Sequence, residues 1–227
     1  GRNEMSEFES HPVLMALAKL DLWHCQIDLG KLTVKFMELQ ESGKAPAVDA
    51  YVADELSSLV GVKTPPSEKS QDIVLYGFGR IGRLIARLLV ERTSTGEVMR
   101  LRAVVVRPGQ EGDLIKRASL FTSDSVHGAF QGTVRIDEEN NCLIANGNVI
   151  HIIYANGPDD IDYTQYGIHD ALIIDNTGKW RDEAGLSLHL KSKGAAKVML
   201  TAPGKGNLKN IVYGINHDQI SPDDTII

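Results

Sequence analysis

From Pro12 to Val60 apolar residues recur three or four positions apart: Val13, Leu14, Leu17 and Leu20, then Leu29, Leu32, Phe36 and Leu39, then Val48, Val52, Leu56 and Leu59. The spacing predicts three amphipathic helices, with Asp28 capping the second, Asp49 near the start of the third, and Gly43 and Pro46 punctuating the gap between them. Three short helices make a small core, so this segment is expected to pack on something else, and a structural brace, a regulatory module and an oligomer contact all fit it, the brace foremost. The stretch from Gly61 to Asp72, GVKTPPSEKSQD, joins paired prolines to polar residues and reads as a linker. It separates a helical segment, residues 1–66, from a second domain, residues 67–227.

Past the linker the pattern changes to short β-branched runs alternating with helical stretches: residues 73–76, 101–106, 171–175 and 197–202. That alternation predicts a mostly parallel sheet covered by helices. Between Gly128 and Tyr154 the runs GTVRI, CLIA and VIHIIY are separated only by turn signals, DEENN and the NGN at 146–148, which predicts an antiparallel insert.

Composition bounds the function. A chain of 227 residues, 42% apolar, can bury a real core. A net charge of −6 argues against a duplex nucleic-acid partner, while leaving room for local basic clusters that hold a small phosphorylated ligand. Cys25 and Cys142 stand far apart and show neither zinc spacing nor a disulfide framework, which fits a reducing, cytoplasmic setting. The chain has no apolar run of membrane-spanning length, no signal-peptide layout at its start and no histidine spacing of a metal site.

The chemistry gathers after the strand IVLY. Gly77-Phe78-Gly79-Arg80-Ile81-Gly82 follows it directly and opens a helix whose predicted buried face is Ile81, Leu84, Ile85, Leu88 and Leu89. In this setting Gly77 permits a tight turn, Gly79 admits a pyrophosphate close to the backbone, and Gly82 lets the helix approach the strand. The helix N-terminus offers unpaired N–H groups to phosphate. A Rossmann-like dinucleotide-binding domain is therefore expected, giving an α/β chain with an antiparallel insert and a small all-α segment in front. Such folds usually carry an acidic residue at the end of the second strand for the adenosine ribose. Here the strand runs VVVRPGQEGD, so Arg107 stands near that place and Asp113 lies further along. An arginine there either pairs with a 2′-phosphate, favouring NADP or mixed use, or is a solvated strand end.

Together these residues resemble the glyceraldehyde-3-phosphate dehydrogenase family. Residues 76–83, YGFGRIGR, resemble its NGFGRIGR, with Tyr76 in place of the asparagine. Residues 124–128 resemble DSTHG, 130–134 FxGTV, 146–148 its NGN turn, 175–178 the ESTG strand end, 201–206 SAPSKD and 212–217 VxGVNH. The matches keep the family's order from Ile73 onward, and the front helices resemble the extension of longer bacterial members. The resemblance implies that a Ser-Cys-Thr-Thr-Asn segment lies downstream of Ile227. Its cysteine would attack the aldehyde to form a thiohemiacetal, hydride would pass from that adduct to the nicotinamide, and inorganic phosphate would cleave the resulting thioester. The catalytic residues and catalytic domain would thus be absent from this chain. It would bind NAD or NADP, at least as well the latter, without dehydrogenase activity of its own.

The resemblance further implies that Gly79, Arg80 and Ile81 face the pyrophosphate, that Thr177 and Gly178 lie along the nicotinamide side, and that Thr201 lines the same cleft. It implies a homo-oligomer acting on a phosphorylated aldehyde, glyceraldehyde 3-phosphate or another such as erythrose 4-phosphate. A nucleotide-binding sensor or scaffold without turnover stays open, supported by Tyr76, Arg107 and by Asn156 at the family's adenine-side arginine. His127 and His217 are read as shaping the cleft, Asp124 as bonding its own backbone, and Trp180 as a nicotinamide neighbour or a solvent shield. Lys179 and Arg181 are read as solvated, and Cys142 as a small buried residue.

Overall fold

A computed structural model describes residues 5–22, 27–57, 59–61, 70–93, 99–110 and 112–227; the predicted linker falls mostly on residues 62–69 and Cys25 on 23–26, outside the described residues. The chain divides into two compact units, the second beginning at Ser70.

The front unit contains α1 (Glu7–Leu17), α2 (Leu29–Glu41) and α3 (Val48–Glu55). Helix α1 starts ahead of Pro12, because the Ser6 N–H donates to the Glu9 carboxylate at 2.8 Å and closes the first turn. Asp28 caps α2 as expected, accepting from the Lys31 N–H at 2.9 Å. Helix α3 ends at Glu55, so Leu59 lies beyond it. The core is Val13, Ala16, Leu17, Leu32, Phe36, Tyr51 and Val52. Leu14, placed on the apolar stripe by its type, is 48% exposed, since Ala16 takes the inward position. The Tyr51 hydroxyl donates to the Leu32 carbonyl at 3.0 Å, so its buried polar end is satisfied.

The second unit is a seven-stranded sheet with helices. It comprises β1 (Gln71–Tyr76), α4 (Arg80–Thr93), β2 (Met99–Val106), α5 (Asp113–Thr122), the short pair β3 (Ser123–Asp124) and β4 (Gly128–Ala129), then β5 (Val134–Asp137), β6 (Cys142–Ala145) and β7 (Asn148–Tyr154). After these come β8 (Ala171–Asp175), α6 (Glu183–Ser187) and β9 (Ala195–Leu200). The order is β5-β6-β7-β2-β1-β8-β9. The strands β7, β2, β1, β8 and β9 pair parallel, and β5, β6 and β7 pair antiparallel. The predicted insert is therefore no separate layer: β7 closes the hairpins on one side and extends the parallel sheet on the other. Central strand β1 is buried on both faces, which explains its unbroken apolar run.

Helix α4 is rotated from its expected setting. Gly82, Ala86, Arg87, Leu89 and Val90 are buried, whereas Ile81 and Leu88 are 52% and 55% exposed. Two contacts fix the rotation. A Cβ on Gly82 would sit 2.4 Å from the Gly77 carbonyl oxygen, so that face must lie against the turn. Arg87 then reaches inward to donate to the carbonyls of Phe121 at 2.8 Å and Gly128 at 3.0 Å.

Candidate functional site: a cationic cleft at the ends of the parallel strands

The connection leaving β1 is forced by its own backbone. Gly77 has φ of +96°, and its N–H donates to the Val105 carbonyl at 2.8 Å, which ties the turn to β2. A Cβ there would lie 2.9 Å from Thr177 Cγ2. Only glycine meets both demands. At Gly79 the opposite holds: a Cβ would find nothing within 4 Å, so the backbone faces open space. The three glycines thus differ: Gly77 turns, Gly79 faces open space and Gly82 packs.

The open space is a cleft of about 450 Å³ lined by Tyr76 to Gly79, Val105 to Arg107, Arg117, Asn156, Asn176, Thr177, Lys179 and Trp180. It lies where β1 is flanked by β2 on one side and β8 on the other, the switch point at which open α/β sheets bind ligands. Its lining holds the cations of Arg107, Arg117 and Lys179 and, among the described residues, no acidic side chain. A larger cavity of about 690 Å³ lies on the β9 side, lined by Thr201, Pro203, Tyr213 and His217 among others. Of these two, the glycine turn lines the smaller.

The predicted site residues divide between places. Gly77, Phe78, Gly79, Arg107 and Thr177 line the cleft. The Phe78 ring itself points into the core, stacked on Phe121 at 6.1 Å. Arg80 and Ile81 open α4, with Arg80 Nε 3.7 Å from Asp124 Oδ2 and Ile81 exposed. Gly178, at φ +65°, follows Thr177 in the loop after β8. Thr201 lines the larger cavity instead, and its hydroxyl donates to the Asp175 carbonyl at 3.1 Å.

Residues that periodicity did not single out hold the loop after β8. Asp175 is fully buried; its Oδ1 accepts from the Thr177 N–H and hydroxyl, both at 2.7 Å, and its Oδ2 lies 3.0 Å from His189 Nε2. The Thr177 hydroxyl is thereby committed to the loop, leaving its methyl against Gly77. The rings of Tyr76 and Trp180 meet His189 edge-on at 4.6 and 5.9 Å. Burial and the nearby Asp175 carboxylate push the Tyr76 phenol up to about 12. Trp180 packs on this cluster while Lys179, read as solvated, lies 4.4 Å over its ring. The pair of Asp175 and His189 sits fourteen residues apart, with no periodic signal to join them.

Asp124 bonds its own backbone, as expected. It accepts from the N–H groups of Val126 at 3.0 Å and His127 at 2.9 Å, and these bonds hold its carboxyl well below the usual carboxylate range. His127 Nδ1, 3.1 Å away, joins the same cap. His217 accepts from the Gly214 N–H at 3.0 Å. Cys142 is buried, and burial pushes its thiol up from 9.0. Among the described residues no group of three or more His, Cys, Asp or Glu side chains could hold a metal ion, and no helix is long and apolar enough to cross a membrane.

A parallel sheet with its glycine turn opening at the strand switch point defines a Rossmann-type dinucleotide-binding domain. Residues 71–183 match the profile of the glyceraldehyde 3-phosphate dehydrogenase NAD binding domain. The chain belongs to the glyceraldehyde-3-phosphate dehydrogenase family. It is 55% identical over 224 residues to a glyceraldehyde-3-phosphate dehydrogenase-like protein of Pseudomonas aeruginosa, a match covering 99% of this chain and 48% of the relative. It is 36% identical over 156 residues to the glyceraldehyde-3-phosphate dehydrogenase of Thermotoga maritima, covering 68% of this chain and 43% of that one. The chloroplastic A form of Zea mays is 29% identical over 224 residues, 94% of this chain and 53% of the relative. The chain thus spans about half the length of these relatives.

Proposed function

We propose that this chain is the NAD(P)-binding part of a phosphorylating aldehyde dehydrogenase that oxidises glyceraldehyde 3-phosphate to 1,3-bisphosphoglycerate through a cysteine thioester. The observation that carries the reading is the glycine turn opening on a cleft lined by Arg107, Arg117 and Lys179, with no carboxylate among the described residues of its lining. A dinucleotide fits that chemistry. The open face of Gly79 and the first N–H groups of α4, which lack intrahelical partners, would take the pyrophosphate. Bound nicotinamide would supply the hydride acceptor. Thr177 and Gly178, held by Asp175, would form the wall beside it, and Arg107 would lie toward the adenosine. Arg80, Ile81 and Gly82, the first residues of α4, would face the pyrophosphate through their backbone N–H groups. Thr201 braces the loop after β8 through Asp175 and Asn176.

The front helices, residues 1–66, are proposed as a separate extension that braces the protein, and the whole protein as a cytoplasmic homo-oligomer. Substrate aldehyde and inorganic phosphate would bind in the part of the relatives' length that this chain does not span. The test is turnover by the complete coding sequence, followed as reduction of NAD+ or NADP+ with glyceraldehyde 3-phosphate. Rates that require inorganic phosphate support the reading. Preference for erythrose 4-phosphate would redirect the substrate, and absence of turnover in a complete, folded protein would leave a nucleotide-binding scaffold.

A further inference from the structure

We propose that the cleft selects the 2′-phosphorylated dinucleotide, NADP(H), over NAD(H), with Arg107 as the residue that makes the choice; this rests on the nucleotide-binding reading above. A fold of this kind chooses NAD with a carboxylate at the end of its second strand, which accepts hydrogen bonds from the ribose hydroxyls and repels a phosphate. Strand β2 ends at Val106, and the residue that follows, lining the cleft, is Arg107.

The nearest carboxylate in sequence that the structure describes, Asp113, is already committed. It opens α5, its Oδ2 accepts from Arg117 Nε, and its side chain folds back on Gly109, where a Cβ would lie 2.4 Å from Asp113 Cγ. Its charge is thereby offset by Arg117, and Asp113 is not part of the cleft lining. Arg107 differs. It is exposed, and among the described residues it has no hydrogen-bond or ion-pair partner. A guanidinium in that state can take a phosphate through two parallel N–H groups without breaking an existing contact. Among the described residues no acidic side chain lines the cleft, and Asp113 is paired with Arg117, so a 2′-phosphate beside Arg107 would meet a guanidinium that has no carboxylate partner. NAD, lacking that phosphate, would leave Arg107 unused.

The test is calorimetric titration of the chain with NADP+ and NAD+ at low ionic strength, repeated with Arg107→Gln. We expect NADP+ to bind about tenfold more tightly, as one charge-assisted contact implies, and the ratio to shrink as salt is raised. R107Q should abolish the preference by weakening NADP+ binding to the level of NAD+, and a circular dichroism spectrum and thermal midpoint matching the unmodified chain show that the variant is folded. NAD+ binding as tightly as NADP+ to the unmodified chain would overturn the selectivity and leave the nucleotide site standing. A preference unchanged in R107Q, or equal loss of both ligands, would remove Arg107 from this role. If neither nucleotide binds, both the selectivity and the nucleotide-binding reading are rejected.

Discussion

A Cβ on Gly82 would stand 2.4 Å from the carbonyl oxygen of Gly77, so helix α4 and the turn before it share a space that no other residue can enter without displacement. Gly79, between them, faces nothing within 4 Å. The two glycines therefore separate fold from function. Gly82→Ala is expected to destabilise the second unit by about 1–3 kcal/mol, the usual cost of overpacking, visible as a lower denaturant midpoint. Gly79→Ala should leave that midpoint nearly unchanged and weaken nucleotide binding, because the new methyl projects where the pyrophosphate would approach. Equal effects of the two on stability would contradict the division.

Loss of His189 should be costly although it touches no ligand. Its Nε2 lies 3.0 Å from the buried Asp175 carboxylate, and its removal would leave that oxygen without its partner inside the core. His189→Ala is expected to lower stability by about 3 kcal/mol, from the lost bond to a charged acceptor together with the cavity. Chemical denaturation of the two proteins side by side provides the measurement. The loop carrying Thr177 should also exchange its amide hydrogens faster.

Stability should fall in mild acid partly through His151. Burial, and secondly the charge of Arg102, hold its imidazole below the ordinary value of 6.5. The folded chain then binds fewer protons than the unfolded one, so stability rises with pH. The contribution is fully present above pH 6.5 and is lost as pH falls through the folded value. His151→Gln should flatten the stability profile in that window; an unchanged profile would assign the acid sensitivity elsewhere.

Cys142 should react slowly with thiol reagents. It is 2% exposed, its sulfur lies 3.2 Å from His151 Nδ1, and burial raises its pKa, so little thiolate is presented. Titration of a Cys25→Ser variant with an aromatic disulfide reagent should show delayed reaction in native conditions and prompt reaction in denaturant. Immediate native reactivity would place this thiol at the surface.

The features legible in the sequence were those with a local cause. The run IVLY reads as a buried strand because both its faces are covered, and the glycine motif reads as a turn because its backbone demands are local. The place of Arg107 could be read as well, since it is the residue that follows β2. What periodicity misjudged was rotation. Ile81 and Leu88 look like core residues by type, but the contact of Gly82 with Gly77 turns the helix and exposes them, while Arg87 goes inside to satisfy two carbonyls. The pairing of Asp175 with His189 had no signature, because a strand end and a short helical turn come together only once the sheet is built.

If the glycine turn and the loop after β8 enclose a dinucleotide, amide hydrogen exchange on the chain with and without saturating NADP+ will show it. We expect added protection in peptides covering residues 77–83 and 176–180 and little change elsewhere in the second unit. Unchanged exchange in both segments, or protection confined to the cavity lined by Pro203 and Tyr213, would contradict it.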